Sequence, residues 1–472
     1  MRPTDPQISF ADLEFMKQGV QLEPTLKAIA EFLDNHRAIV QRVQRDLTRG
    51  LKRPATGRIG LTAPQVLRSM ILMRVKNWDY RELRERIADG YTLRHFTDFN
   101  SQRVPQHDAF NRAINRLTPD TLQAVNEAVI HAAVSLGLED GTKLRVDTTV
   151  VETDIHHPTD NTLLWDSVRV LTRLVRKLDV LLPAGVGPFT NRTRCARRRM
   201  QEIQRMTARE RHRQQVRTYR ALIRVTEQVV TEARAVVQRT VRVRGLDLST
   251  QVAIDALRSD IARHCELGTR VISQASRRVL HGEQVPTEEK LYSIFETHTD
   301  LIKRGKVLKP VEFGHKVFLA ESGHGLITQY RVLSGNPADQ VHVKPSLDRH
   351  KAVFDSAPDT YSSDRGFFNE DNIQTCQTAG VTLTCIPQSG GKRSAERESL
   401  EKSPAFKRGQ RFRAGIEGRI SVLFRGRGMQ RALVEGREHF ELFVGAAVLA
   451  NNLMVIAGLL RHKAARRRRR AA

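Results

Sequence analysis

The run KLRVDTTVVET, residues 143–153, ends a helical pattern that fills everything before it. Its β-branched residues predict a strand. Side chains alternate faces along a strand, so Asp147, Thr149 and Val151 share one face, and Glu152 and Asp154 point to the other if the strand continues. Asp147 is the exceptional residue. An acid inside an apolar strand must be paired or must bind a metal, because an unpartnered buried carboxylate is costly.

Downstream, strand signals return only at Phe313. In between, Leu164, Val168, Leu171, Val175, Leu178 and Leu182 alternate steps of four and three, the spacing of a coiled-coil seam, over too few heptads to set an oligomer state. Residues 191–220 then carry eleven arginines against two glutamates. Such a run is either a solvated helix face or, with so few compensating acids, a surface for phosphates. Beyond Phe313, GHKVFLAES and LITQYRVLSG read as a hairpin joined at SGHG. TYSSD is a short strand, NEDNIQTCQTAG a helix and VTLTCIP a strand. GGKRSAERESLEKSPAFKRG reads as a basic loop, followed by a helical block from about Arg411 to Leu460. This order describes an α/β core interrupted by a long helical insertion.

Upstream, Leu22, Leu26, Ile29 and Leu33 have helical spacing, and LTRGLKRPATGRIG is a Gly and Pro linker. Helices are predicted from Pro64 to Trp78, from Tyr80 to Ile87 and from near Pro105, with Ser101 as a cap and Arg112 and Arg116 on one face. Such a unit is either a helix-turn-helix reader of the major groove or a helical packing and dimerisation domain. The expected division is an all-α amino-terminal part comprising a segment at 1–58 and a DNA-binding or dimerisation domain at 59–140, then the first core strand at 141–160, a basic helical insertion at 161–305, the rest of the core at 306–460 and a disordered basic tail at 461–472.

The 78 Lys and Arg exceed the 52 Asp and Glu by 26, an excess that asks for a polyanion. Nucleic acid is the first choice, an anionic membrane surface the second. The start MRPTDPQISFADLEF lacks the pattern of a secretory signal, which predicts a cytoplasmic protein. Four cysteines without CxxC spacing argue against disulfides and a zinc site, and read as reduced packing residues. The apolar stretch Phe440 to Leu460, interrupted by Glu441, Asn451 and Asn452, reads as a buried core helix and not a membrane span.

Two further acids have settings like that of Asp147. Asp364 ends a strand in DTYSSDRGFFNEDNI, and Glu417 lies at a helix start in RFRAGIEGRISVLF among Arg411, Arg413 and Arg419. Three oxygen ligands from separate elements suit magnesium, and two such ions would drive in-line attack on phosphorus.

At these residues the chain resembles the DDE transposases of bacterial insertion sequences, in the group catalogued as ISNCY. VDTTVVETDIHHPTDNTLLWDS, YSSDRGFF and RAGIEGRIS resemble that group's three catalytic blocks in order, and the stretch from Arg58 to Gly137 resembles its amino-terminal domain. The resemblance implies a ribonuclease H-like core, with Asp147, Asp364 and Glu417 as catalytic residues and as ligands of Mg2+ or Mn2+. The family-typical core is continuous, whereas about 150 residues here separate the first strand from the next. The activity implied is metal-dependent cleavage and strand transfer at terminal inverted repeats of double-stranded DNA, by at least a dimer, in the cytoplasm at the nucleoid. The alternatives are a catalytically inactive DNA-binding descendant and a metal-dependent nuclease.

Arg112, Arg116, Arg197, Arg198, Arg199, Lys303, Lys316, Arg413 and Arg419 are the expected DNA contacts. FETHTDLIKRGK, residues 295–306, resembles another block of the family, and His315 beside Lys316 is a further phosphate candidate. His156 and His157 read as part of a turn capping the next helix. SGGKRS lacks the upstream glycine of a phosphate loop, so ATP is not implied.

Overall fold

The computed structural model describes residues 10–17, 21–52, 60–241, 246–303 and 311–471. Half of the Gly and Pro linker, Lys306 of the FETHTDLIKRGK block and most of the amino-terminal run lie outside the described residues. The chain divides into two compact units, Met1–Thr153 with Gly314–Ala472, and Asp154–Phe313.

In the first unit, eight helices among the described residues precede the sheet: α1 (Phe10–Lys17), α2 (Pro24–Asn35), α3 (Arg37–Thr48), α4 (Ala63–Lys76), α5 (Tyr80–Asp89), α6 (Tyr91–Phe96), α7 (His107–Ile114) and α8 (Pro119–Ser135). Local chemistry sets their ends. Thr62 and Gln65 form a capping box at the start of α4, and Asn77, left-handed at φ 56°, stops it. Asp79 accepts from the amides of Arg81 and Glu82 to open α5. Ser101 caps no helix and instead donates to Asp12. Helix α7 stops at Ile114, so Arg116 lies beyond it and donates to the Arg49 carbonyl.

The second unit begins with α9 (Asp160–Leu181), α10 (Thr193–Arg205), α11 (Ala208–Thr240) and α12 (Leu248–Ala275), and includes the short strand β2 (Asp300–Lys303). The heptad positions of α9 are buried within the chain: Leu164, Val168, Leu171, Val175 and Leu178 pack in one core with Leu222, Val229 and Val236 of α11 and Ile254 and Ile261 of α12. The seam spacing thus serves an intramolecular helix bundle.

The sheet of the first unit is mixed and open. Strand β1 (Lys143–Thr153) runs antiparallel to β3 (Val311–Ser322) from Leu144 opposite Ser322 to Glu152 opposite Gly314. Strand β4 (Ile327–Val332) closes the expected hairpin with β3. On the other side β1 lies parallel to β5 (Thr360–Ser362), and β5 parallel to β6 (Leu383–Cys385). The order of these strands is β4-β3-β1-β5-β6, with β7 (Arg431–Ala432) parallel to the far end of β1.

Helices α13 (Val343–Phe354) and α14 (Glu370–Ala379) belong to one face, where Val146 and Phe318 meet Val343, Leu347 and Cys376. Helix α15 (Ala395–Lys402) is followed by α16 (Pro404–Arg427) and α17 (Arg437–Ala471); the last two cover the other face, where Val151, Val317 and Leu319 meet Leu423, Phe440 and Val444. Helix α17 also enters the core of the amino-terminal helices through Leu449, Leu453 and Ile456. It is long and apolar enough to cross a membrane, and 78% of its most apolar window is buried. Its interrupting Asn452 is a connector: its side chain accepts from the Ile327 amide and donates to the Ile327 carbonyl and to Asn126.

Two basic segments also differ from expectation. The basic loop at 390–409 holds α15 and the start of α16, capped by Ser394 and Ser403. The basic tail continues α17 as an exposed helix through Arg470, since extending an anchored helix with alanine and arginine needs no new nucleus.

Candidate active site

Asp147 sits on β1 just past its pairing with β5. Arg145 is opposite Ser362, and the same register continued by two residues sets Asp147 beside Asp364. Adjacent strands are about 4.8 Å apart, so the two acids are brought together by backbone geometry alone. Asp364 follows β5, and its Oδ1 accepts from the Gly366 amide, which turns the chain away from the sheet. Asp147 Oδ1 accepts from the Thr148 amide, and its Oδ2 accepts from Arg413.

Glu417 arrives on α16, in mid-helix and not at a helix start, because Ser403 and Pro404 begin the helix well upstream. The docking of α16 is close. A Cβ on Gly409 would lie 2.2 Å from Cys385 Sγ, so only glycine allows this approach. Gln410 donates to the carbonyls of Ser363 (3.2 Å) and Cys385 (2.6 Å), pinning the helix beside Asp364.

One guanidinium joins the three acids. Arg413 lies 3.0 Å from Asp147 Oδ2, 2.9 Å from Glu417 Oε1 and 3.8 Å from Asp364 Oδ2. Exposure rises from 12% at Asp147 through 38% at Asp364 to 67% at Glu417, a gradient from sheet floor to solvent. The arginine supplies the countercharge that a buried strand acid requires.

The other expected contacts are spread over both units. Arg112 is exposed on α7, and Arg197 is exposed on α10 without an acidic partner among the described residues. Arg198 and Arg199 both pair with Glu202, at 3.8 and 2.9 Å. Lys303 is exposed at the end of β2. Lys316 is largely buried and committed to Asp339 (2.8 Å) and the Pro337 carbonyl, and Asp339 in turn accepts from the Thr148 hydroxyl beside Asp147. His315 is fully buried against Arg437 and Phe440. His156 pairs with Asp166 at 3.3 Å, and His298 with Glu296 at 2.7 Å. Arg419, on α16 itself, donates to Glu321.

Glu321 was legible by the same signal that singled out Asp147, an acid inside the apolar run KVFLAES, yet sequence reading passed over it. Another group stands apart: Glu139, Asp140 and His324 are the described residues whose potential ligand atoms all lie within 4.8 Å of one another. Glu139 is already used by four protein donors, the amides of Asp140, Gly141 and His324 and the Ser322 hydroxyl, and so ties the β3–β4 turn to the approach to β1. The thiols of Cys265, Cys376 and Cys385 are each pushed up to about 11 by burial, as packing residues should be. No protein-family model, no curated protein and no solved structure matches the chain.

Proposed function

We propose that this chain is a DNA transposase of the DDE type with a ribonuclease H-like core, which binds the terminal inverted repeats of an insertion sequence, cuts DNA at those ends and joins the 3′ hydroxyls to target DNA. The observation that carries the reading is the meeting of Asp147, Asp364 and Glu417, from a strand, the end of its parallel neighbour and a later helix, on the single guanidinium of Arg413.

Three carboxylates gathered around one cation form the hard-oxygen donor set that Mg2+ or Mn2+ takes. Bound there, divalent ions would activate a water or a 3′ hydroxyl and stabilise the oxygen leaving phosphorus. Asp147 and Asp364 form the rigid floor, because both rise from adjacent strands. Glu417 reaches in from the solvent side, the side from which DNA arrives. Arg413 offsets part of the charge of the trio at rest and, released from it, offers a planar fork to phosphate oxygens.

The excess of 26 positive charges supports a polyanionic partner. Arg112, Arg197, Lys303 and arginines 466–470 of α17 are exposed cations suited to duplex backbone. Pairing two ends requires at least a dimer, working in the cytoplasm at the nucleoid.

The test is cleavage of a labelled duplex carrying the end sequence that flanks the coding region, with Mg2+, comparing wild type with Asp364→Asn. End-specific nicking and joining that vanish in the variant, with DNA binding kept, is the expected result. Cutting without joining would favour a nuclease. Tight binding without cutting by either protein would overturn the enzyme reading in favour of a DNA-binding descendant.

A further inference from the structure

Beneath the acidic trio lies a second charged cluster that sequence reading did not anticipate. Glu321 is fully buried on β3, directly opposite Arg145 of β1. Arg145 Nε and Nη2 both reach Glu321 Oε2, at 2.8 and 2.7 Å, and Arg419 Nε donates to Oε1 at 2.8 Å. Each carboxylate oxygen is therefore taken by a different arginine. The arginines in turn grip α16 at two places. Arg145 Nη1 donates to the Phe412 carbonyl at 2.6 Å, with its guanidinium 4.7 Å over the Phe412 ring, and Arg419 belongs to α16 itself and also donates to Asn451 of α17.

We propose that Glu321, clamped between Arg145 and Arg419, is a positioning residue that sets the register of the Glu417 helix over the Asp147 strand; this rests on the acidic trio being the reactive site. Phe412 and Arg419 are seven residues apart, about 10 Å of helix, with Glu417 between them. One anchor would let the helix swivel, whereas two anchors flanking Glu417 fix both its rotation and its height. At the other end of the clamp, Arg145 and Asp147 share a face of β1, two residues apart. The clamp thus connects the two elements whose carboxylates must meet.

Two glycines fit this role. A Cβ on Gly415, in the middle of α16, would come 2.2 Å from Arg145 Nη1, and one on Gly325, at φ +90° in the β3–β4 turn, 2.7 Å from Arg419 Nη2. Glycine in a helix interior is unfavourable in itself. At 415 its absent side chain is the space the guanidinium occupies.

A buried ion cluster is a weak source of stability, and an apolar replacement of similar volume is commonly tolerated by the fold. That separates positioning from folding. The experiment compares wild type with the triple variant Arg145→Met/Glu321→Leu/Arg419→Met and with Gly415→Ala, each full length. The measurements are thermal unfolding, duplex binding, single-turnover cleavage of the end-bearing duplex with Mn2+, and amide exchange along α16. The expected result is folded variants that bind duplex as wild type does, cleave on the order of a hundredfold more slowly, as a displacement of about 1 Å at a reacting centre costs, and exchange faster in α16. Folded variants that cleave within threefold of wild type overturn the proposal. If wild type itself does not cleave, the functional reading fails, and amide exchange then decides the clamp alone: unchanged protection of α16 in the triple variant overturns it, and lost protection upholds it.

Discussion

Replacing Arg413 by glutamine should make the protein bind divalent metal more tightly. The guanidinium lies 3.0 Å from Asp147 and 2.9 Å from Glu417, and a metal ion entering between the acids must displace it. Asp147 and Arg413 are 12% and 18% exposed, so their contact belongs with hydrogen bonds between charged, part-buried groups, about 1.5–3 kcal/mol. Glu417 is 67% exposed, and its contact adds less than about 1 kcal/mol. A value in the lower half of the combined range, about 2 kcal/mol of lost competition, corresponds to roughly thirtyfold tighter binding. Without metal the variant lacks the Arg413 countercharge beside Asp147, so it should also be less stable than wild type and recover more stability when metal is added. Calorimetric titration with Mn2+ and thermal unfolding at fixed Mn2+ measure both quantities. Equal or weaker Mn2+ binding by Arg413→Gln would refute the reasoning, since the arginine would then be neither competitor nor placeholder.

Other substitutions test the docking of α16 and the buried groups. Gly409→Ala forces a Cβ against Cys385 and should cost about 1–3 kcal/mol in urea unfolding, whereas Gly418→Ala, with nothing within 4 Å, should stabilise by up to about 1 kcal/mol. Stability should fall with acid. Burial pushes His342, helped by Arg331, and His350 down to about 4 from 6.5, so their contribution is complete above pH 6.5 and is lost as the pH falls toward 4, where the unfolded chain takes up protons first. The loss is at most about 3 kcal/mol per histidine, and His350→Gln should flatten the profile of unfolding free energy against pH. At pH 8 a thiol reagent should modify half-buried Cys195 in the native protein and spare Cys265, Cys376 and Cys385, with all four reacting in denaturant.

The sheet and its acids were legible because strands announce themselves locally. β1 carries one acid in an apolar run, the SGHG turn joins two alternating segments, and Asp364 sits where a strand gives way to Gly366. Helix α15 was not legible because it buries no residue and so has no apolar period; its Ser394 cap and the helix formers of AERESLEK were lost among lysines and arginines. The early start of α16 was masked by Gly409, which reads as a breaker in isolation but admits Cys385 in the fold. Charges misled most. Lys316 and Arg419 looked like phosphate contacts, yet their partners Asp339 and Glu321 lie far away in sequence, and no local pattern encodes such pairs. The positions of Asp147 and Asp364 follow from strand register, while Arg413 joining them could be seen only once α16 was docked.

The central claim is that acids from three separate elements form one metal site. Calorimetric titration of Mn2+ into wild type, Asp147→Asn, Asp364→Asn, Glu417→Gln and Glu139→Gln tests it most directly. The account predicts at least tenfold weaker binding for the first three variants, with the two aspartates mattering most because they form the floor, and unchanged binding for Glu139→Gln. Wild-type affinity in all three, with loss only in Glu139→Gln, would move the metal to the Glu139, Asp140 and His324 cluster and contradict the account.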